Sequence, residues 1–372
     1  MLIFQQKESD ASDKTDGKFY VISTRRAINE QLCQQFRLVG FNAVEGIERD
    51  ITHTASLNIP GNANGVVVDI GNNTQVADVF NALQIQIPRQ VWCCVVGDSD
   101  SIALAQDFAA NQIGYFNVSM QQDMIIQAAL SGIEIKNHRT AVSISVLGCK
   151  GGVGSTTIAY QLAVEISRLK ELPTLFVQGN SGSRDLDLHA GKKMSQDITS
   201  LQKNLDLMCS NSNTFPNLQL EGMHQYNFVL FEQSINTADK ELLRHLAESS
   251  HCIVLVIERS MASVRVARNM IENIELLQRI SRTSRRFFIC LNDSRPVSME
   301  MLSLSDIKAL LNHQIDITFP FSKKKNPAKK RKSRFSPSPS PLNQLTRAVL
   351  GQKKEQNKSV MNRIFYRIHR GN

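Results

Sequence analysis

A run of glycines and small hydroxyl residues at positions 149–157, Cys-Lys-Gly-Gly-Val-Gly-Ser-Thr-Thr, has the composition of a phosphate-binding loop. It lies between an apolar segment, 142–147, and a segment with helical periodicity, 158–169. Backbone N–H groups in such a loop can surround phosphate oxygens, and the following helix N-terminus adds partial positive charge. The predicted nucleotide-binding residues are Lys150, Gly151, Gly152, Val153, Gly154, Ser155, Thr156 and Thr157.

Position 155 departs from the usual pattern. Loops of this kind end in Gly-Lys-Ser or Gly-Lys-Thr, and their lysine neutralises the β- and γ-phosphates of the nucleotide. Ser155 stands in that place, so Lys150 is the one cation left within the loop. A loop that only turns a strand into a helix is the alternative, but the full pattern with its flanking elements favours a phosphate cradle.

Two series of alternating strands and helices surround this loop. The first covers 18–133 and predicts a flavodoxin-like, doubly wound parallel sheet. Its predicted strands are Phe19–Ser23, Phe41–Val44, Val66–Ile70, Val91–Val96 and Tyr115–Val118, and its helices Ala27–Val39, Gln75–Leu83, Ser101–Ala110 and Gln122–Leu130.

The second series covers 140–321 and predicts another doubly wound α/β domain, which carries the loop. Its predicted strands are Val142–Leu147, Thr174–Val177, Phe228–Phe231, Cys252–Ile257, Phe287–Leu291 and Ile315–Phe319, and its helices Ser155–Leu169, Ala238–Glu248, Met261–Ile280 and Leu304–Leu311. The flanking segments are predicted to be a disordered start at 1–17, a basic Ser/Pro linker at 322–341 and C-terminal helices at 342–372.

The segment Lys150–Thr157 resembles the deviant Walker A loop of the MinD/ParA family, Lys-Gly-Gly-x-Gly-Lys-Thr-Thr. Segments similar to other family motifs follow in order at Gly182–Leu188, Arg259–Arg265 and Phe319–Phe321. The resemblance implies a MinD/ParA-like P-loop fold, ATP and Mg²⁺ as cofactors, and a homodimer in which Lys150 reaches the partner's phosphates.

The same resemblance assigns roles to residues outside the loop. It implies that Asn292 lies near the adenine and that Thr156 and Glu232 hold the Mg²⁺ shell. Glu232 replaces the family's Walker B aspartate, and Gln178 and Asn180 replace its Asp-x-Asp. An amide cannot take a proton from water, and losing one well-placed group typically costs on the order of a hundredfold in rate. We therefore expect nucleotide binding with weak or no hydrolysis, and no catalytic residue is assigned.

The first domain resembles a response-regulator receiver. Asp69 follows the third predicted strand, where a receiver has its phosphoacceptor, but no acids follow the first strand and no lysine ends the fifth. Asp69 is therefore predicted to be a turn or helix-cap residue rather than a phosphorylation site. We expect a receiver-like module for docking to dimer or protein partners.

A receiver-like domain followed by a MinD/ParA-like domain is the layout of the TadZ/CpaE family of Flp (tight adherence, or Tad) pilus assembly proteins. The loss of the loop lysine resembles the atypical TadZ members. The resemblance implies a cytoplasmic localisation factor that marks the assembly site of the pilus secretion machine, often a cell pole, and binds Tad pilus assembly proteins.

Charge is distributed unevenly along the chain. Residues 322–372 carry 15 Lys and Arg and one acid, whereas the preceding residues carry 28 basic and 33 acidic side chains. The basic run Lys323–Arg334 favours an anionic partner, either a membrane surface or nucleic acid. The alternative function is accordingly an active ParA-like partitioning ATPase that binds DNA non-specifically through this tail.

The last fifteen residues form one apolar stripe at helical spacing with basic flanks. This pattern is typical of a short amphipathic helix at the inner face of the cytoplasmic membrane, and equally of a helix packed on the protein body or a partner. The predicted membrane-binding residues are Val360, Met361, Arg363, Ile364, Phe365, Arg367 and Ile368.

Other features limit the class of protein. No apolar run approaches the ~20 residues that span a bilayer. The start, Met1–Phe4, turns polar at Gln5 and has no basic n-region before an apolar h-region, which argues against a secretory signal. The seven cysteines have no metal-binding spacing, so reduced thiols in a cytosolic protein are expected.

Overall fold

The structure is a computed structural model and describes residues 17–52, 57–134, 139–194, 197–218, 222–281, 285–321 and 340–351. Two β-sheets with helices on both faces make up this part of the chain, which confirms the predicted α/β class. Among these residues no helix is long and apolar enough to span a membrane. The predicted disordered start, basic run and terminal amphipathic helix lie outside the described residues.

The first sheet contains five parallel strands. Its strands are β1 (Phe19–Ile22), β2 (Val44–Ile47), β3 (Gly65–Asp69), β4 (Trp92–Gly97) and β5 (Gly114–Asn117), with helices α1 (Arg26–Leu38), α2 (Val76–Gln86), α3 (Ile102–Ala110) and α4 (Gln122–Glu134). The strand order β2-β1-β3-β4-β5 is that of flavodoxin-like doubly wound sheets. Apolar side chains of α2 and α3 pack on one face, and those of α1 and α4 on the other.

The second sheet contains eight strands in the order β13-β12-β11-β6-β10-β7-β9-β8, and only the β8–β9 pair is antiparallel. The strands are β6 (Val142–Gly148), β7 (Thr174–Gln178), β8 (Thr199–Gln202), β9 (Leu205–Cys209), β10 (Phe228–Ser234), β11 (Cys252–Ile257), β12 (Arg286–Asn292) and β13 (Ile317–Phe319). The helices are α5 (Ser155–Lys170), α6 (Leu186–Ala190), α7 (Lys240–Ser249), α8 (Met261–Ser281), α9 (Leu304–Leu311) and α10 (Pro341–Val349).

The second strand was predicted too early in the chain. Phe41 is buried, but it lies before the strand, where its ring packs against Phe19 and Phe36. The strand itself begins at Val44 and reads Val-Glu-Gly-Ile at the sheet edge, with little apolar signal. The sequence prediction also missed α6, β8 and β9, because each of these elements is only four or five residues long.

Helix α10 is part of the core of the second sheet. Leu345, Val349 and Leu350 are fully buried in the apolar layer that also contains α5. The predicted C-terminal helices at 342–372 therefore begin with a helix that packs on the protein body. The described chain ends beside α2 at Gly351. A Cβ added to Gly351 would lie 2.7 Å from the side-chain amide nitrogen of Asn81 in α2, which shows how close the two residues are.

Buried polar contacts connect the two sheets at the C-terminal end of α2. The Asn227 side-chain amide donates to the carbonyls of Ile87 (2.8 Å) and Gln84 (3.3 Å) and accepts from the Arg89 backbone N–H (3.0 Å). The buried Arg139 guanidinium donates to the Ile87 and Pro88 carbonyls at 3.3 and 2.6 Å. Buried backbone groups that lose such partners are costly, so these side chains fix the junction.

We expect Asn227→Ala to lower the free energy of unfolding by about 1–3 kcal/mol, because the buried Arg89 N–H would lose its partner. Urea unfolding followed by circular dichroism measures this change. Asn269→Ala, on the exposed side of α8, is the matched control and should change stability by less than about 0.5 kcal/mol. Equal stability of the two variants would contradict the role given to Asn227.

Candidate nucleotide site

The glycine loop joins β6 to α5 in the conformation that a phosphate cradle requires. Gly152 and Gly154 have φ angles of 72° and 86°, the left-handed region that glycine adopts without strain. Gly154 is the N-cap of α5 and no side chain caps the helix, so the first N–H groups of the helix are available. A Cβ on Gly151 or Gly152 would meet nothing within 4 Å, so the loop borders open space. These features fit a bound phosphate chain.

The Ser155 side chain turns away from that space and into the sheet. Its hydroxyl donates to Glu232 Oε1 over 2.7 Å, and both residues are buried. A Cβ on Gly148 would lie 2.7 Å from Ser155 Oγ, so glycine at the end of β6 allows this close approach. Position 155 therefore supplies neither a cation nor a free hydroxyl to the cradle.

Glu232 is buried in β10 beside the loop. Burial raises its pKa to about 7, and hydrogen bonds from Ser155, Gln178 and Thr156 partly oppose that rise. No group of three His, Cys, Asp or Glu side chains arranged to hold a metal occurs in the described parts of the chain. Glu232 and Thr156 thus offer one carboxylate and one hydroxyl, a set that suits a Mg²⁺ ion carried by nucleotide phosphates rather than a metal held by protein ligands alone.

The amides that replace carboxylates are held away from a catalytic role. Gln178 is buried at the end of β7. Asn180 is exposed, and its side-chain oxygen accepts a hydrogen bond of 3.1 Å from the Arg184 guanidinium. Neither side chain can accept a proton from an attacking water at neutral pH. Neither position therefore offers a general base to an attacking water.

Lys150 forms an ion pair with Glu258, the residue that follows β11. The Lys150 side chain is 41% exposed and that of Glu258 is 14% exposed. Burial alone would raise the pKa of Glu258, but the hydrogen bond from Lys150 and other polar contacts outweigh it and lower the pKa. Sequence analysis missed Glu258, although the carboxyl ends of β6 and β11, neighbours in a parallel sheet, lie at the same edge.

Asn292 lies against the loop, at the end of β12. Its amide nitrogen donates to the Val153 carbonyl at 2.8 Å, and it would clash with a Cβ on Gly154. The neighbouring Arg259 and Asp293 form a buried two-point ion pair with distances of 2.7 and 3.1 Å. A cleft lined by Glu258, Arg259, Asn292, Asp293, Ser294, Arg295 and Met301 continues from this point.

The structure thus brings the loop residues Lys150–Thr157 together with Glu232 and Asn292 at one sheet edge. Thr157 faces His189 of α6, with 3.4 Å between Oγ1 and Nε2. The predicted membrane-binding residues Val360–Ile368 lie outside the described residues, so the structure does not test them.

Asp69 in the first sheet has its carboxylate oxygens fully engaged. Arg25 donates to both oxygens at 2.9 and 2.6 Å, Ser23 donates to one of them, and the Gly71 backbone N–H donates at 2.9 Å. Arg25 also bonds both oxygens of Asp98 at 2.8 Å. Burial would raise the pKa of Asp69, but the hydrogen bonds from Arg25, Ser23 and Gly71 outweigh it and lower the pKa. This geometry fits the predicted structural role.

No family model matches this chain, and no curated protein matches it. A ParA family ATPase from Chlorobium tepidum TLS is similar at 19% identity; the match covers 49% of this chain and 85% of that one, with a TM-score of 0.38. The MinD cell division protein of Aquifex aeolicus is similar at 18% identity; the match covers 57% of this chain and 98% of that one, with a TM-score of 0.40. Apo McdA from Cyanothece is similar at 12% identity; the match covers 50% of this chain and 87% of that one, with a TM-score of 0.39. These identities and TM-scores assign neither a function nor a partner to this chain.

We expect Asp69→Asn to lower the free energy of unfolding at pH 7 by about 1–3 kcal/mol, because Arg25 loses a buried charged partner. The folded-state pKa of Asp69 is lowered. Its contribution is therefore present above the unfolded pKa of about 3.9 and is lost as the pH falls through the folded value.

The difference between wild type and variant should accordingly shrink below about pH 4, as urea unfolding at several pH values would show. Asp107→Asn, which changes an exposed carboxylate on α3, is the matched control and should have little effect at any pH. A pH-independent difference for Asp69→Asn would contradict the ion-pair explanation.

Proposed function

We propose that the protein is a MinD/ParA-like positioning factor that binds ATP, hydrolyses it weakly or not at all, and helps to place the Flp (Tad) pilus secretion machine at the inner membrane or cell pole. The observation that carries the nucleotide part is a formed cradle whose position 155 is turned inward onto Glu232. A cradle with open N–H groups binds phosphate, whereas a site without a general base or loop cation accelerates its transfer poorly.

Backbone groups and Lys150 divide the binding task. The N–H groups of residues 151–157 surround the phosphates, and Asn292 holds the loop from behind through the Val153 carbonyl. Bound Mg²⁺ would neutralise phosphate charge, and Thr156 and Glu232, which hydrogen-bond each other beside the loop, would hold its shell. Lys150 is the remaining loop cation, and it must exchange Glu258 for phosphate if it is to contact nucleotide in its own or a partner subunit.

Placement at a membrane is supported by the sequence of the C-terminal region. Each Lys or Arg near an anionic leaflet contributes about 1 kcal/mol, and reversible binding usually needs two weak signals. The basic run Lys323–Arg334 and the apolar stripe of 360–368 supply two such signals. The pilus role and the Tad partners rest on the two-domain layout, in which two α/β sheets follow one another in the chain.

The nucleotide proposal is tested by measuring ATP binding and phosphate release on the same purified protein. We expect Lys150→Ala to raise the Kd for ATP about tenfold, because one charge-assisted contact contributes about 1.5–3 kcal/mol. Ser155→Lys should lower the Kd by a similar factor without restoring rapid turnover, since Gln178 and Asn180 remain. Lys240→Ala removes an exposed lysine at the start of α7 and should leave the Kd unchanged.

Two outcomes would contradict this proposal. Absence of measurable ATP binding by the wild type would show that the loop does not bind this nucleotide. Rapid phosphate release that DNA stimulates, with DNA affinity falling steeply as salt rises, would instead favour the partitioning ATPase that uses its basic tail on DNA.

The membrane proposal is tested by flotation of the full-length protein with vesicles that contain phosphatidylglycerol. We expect the double variant Ile364→Glu, Phe365→Glu to reduce vesicle binding at least about tenfold, because it removes apolar burial and adds negative charge. Gln356→Glu, Asn357→Glu makes the same charge change outside the stripe and should have a smaller effect. Equal losses in both variants would show that charge alone accounts for binding, and no binding by the wild type would exclude the membrane part.

A further inference from the structure

An acidic groove lies at the β5 edge of the first sheet. It is bounded by α3, by β5 and by the turn that precedes α4, and its lining includes Asp100, Ile102, Ala105, Tyr115 and Met120. Ile102 is 75% exposed and Met120 is 81% exposed, which leaves two large apolar side chains in water. Such a combination of exposed apolar surface and a concave shape is typical of a docking site.

The floor of this groove is rigid. The Tyr115 hydroxyl donates to the Ser99 carbonyl at 2.9 Å, and the Tyr115 ring stacks on Phe108 with centroids 5.6 Å apart. Asn117 Oδ1 accepts from the backbone N–H groups of Ser119 and Met120 at 3.0 and 3.1 Å, which fixes the turn that carries Met120 outward. The apolar side chains are thus presented by a defined surface.

The charge around the groove has one sign. Residues 90–135 contain five acids and no Lys, Arg or His; the acids are Asp98, Asp100, Asp107, Asp123 and Glu134. Arg25, which lies between the groove and the centre of the sheet, is shared between Asp69 and Asp98. Because one guanidinium serves two carboxylates, the surface stays acidic and favours a basic, apolar occupant.

The chain itself contains a segment of that chemistry. Residues 352–372 carry six Lys and Arg against one acid, and five apolar residues recur at helical spacing between positions 360 and 368. As a helix, fifteen residues would be about 22 Å long. The stripe with its basic flanks therefore matches the groove in both polarity and sign of charge.

The point where the described chain ends is close to the groove. Gly351 lies beside Asn81 of α2, and α2 and α3 cover the same face of the first sheet. Packed helices lie 8–10 Å apart, and the six residues from 352 to 357 can span at most about 20 Å. The segment that begins at Lys358 can therefore reach α3 of its own chain.

A second apolar groove on the protein offers a comparison. It is lined by Met261, Val264 and Leu310, but also by Arg265 and Arg268. Arg265 would repel a segment that carries five more positive than negative charges in 352–372, whereas Arg268 is paired with Glu272. Charge therefore selects the groove of the first sheet.

From these observations we infer that the C-terminal segment 358–372 docks in the groove formed by α3, β5 and the turn before α4 of the same chain. The apolar stripe covers Ile102 and Met120, and the basic flanks face Asp100 and Asp123. This inference does not depend on nucleotide binding or on the pilus role.

The experiment places the photoreactive residue p-benzoylphenylalanine at position 365 of the full-length protein, without nucleotide or lipid. After irradiation, mass spectrometry should find cross-links within residues 99–124. Ile102→Lys, Met120→Lys should reduce their yield at least about fivefold, because it removes the apolar contact and reverses the local charge. Raising the salt to about 0.5 M should also reduce the yield, because salt screens the charge attraction.

The matched control is Leu276→Lys, Ile280→Lys, which makes the same change at two exposed apolar positions of α8 and should leave the yield unchanged. A mixture of isotopically heavy and light protein distinguishes the occupants. Cross-links between like-labelled segments support docking within one chain, whereas mixed cross-links would overturn it in favour of a second copy. Cross-links confined to other surfaces would overturn the groove itself.

Discussion

The hydrogen bond from Ser155 to the buried carboxylate of Glu232 is the constraint on which the candidate site depends. It joins the first residue of α5 to β10, and it is possible because Gly148 at the end of β6 leaves room for the serine side chain. A lysine in the same place would add the positive charge that usually neutralises phosphate in such loops. The serine therefore strengthens the join between loop and sheet and gives up the charge that would act on phosphate.

Several other side chains of the candidate site also make structural contacts where a catalytic group would be expected. Gln178 is buried as an amide, Asn180 is bonded to Arg184, and Glu232 is so deeply buried that its pKa rises to about 7. In the first sheet, Arg25 similarly donates hydrogen bonds to both oxygens of the Asp69 carboxylate, so that this carboxylate is not open to a ligand. In both sheets, polar groups at the carboxyl ends of parallel strands, where ligands usually bind, are satisfied by neighbouring side chains of the protein. The backbone N–H groups of the loop, and Lys150 once it leaves Glu258, are groups of this site that a phosphate can contact.

The sequence was sufficient for the parts of the fold whose signals are local. Continuous apolar runs predicted the central strands, and the spacing of Lys150, the glycines and Thr156 predicted the loop and its helix. It was insufficient where the signal comes from packing. Phe41 was predicted to lie in a strand, but it packs in an aromatic cluster with Phe19. Strand β9 is defined by its pairing with β7, which the sequence alone does not indicate. Glu258 and Arg25 were missed because their roles depend on residues over a hundred positions away in one case and over forty in the other.

The proposed docking in the acidic groove and the proposed binding to a membrane place opposite demands on the basic C-terminal region. A segment that lies in the groove is neutralised by carboxylates and hides its apolar stripe, so it cannot enter a membrane interface at the same time. An anionic membrane must therefore compete with Asp100 and its neighbours for the same lysines and arginines, and both attractions weaken as salt rises. The acidic face itself is repelled by an anionic leaflet, so release of the segment would turn that face away from the membrane. Taken together, the two proposals predict two states of one protein, because the basic segment can pair with the protein's own carboxylates or with an anionic membrane, but not with both at once.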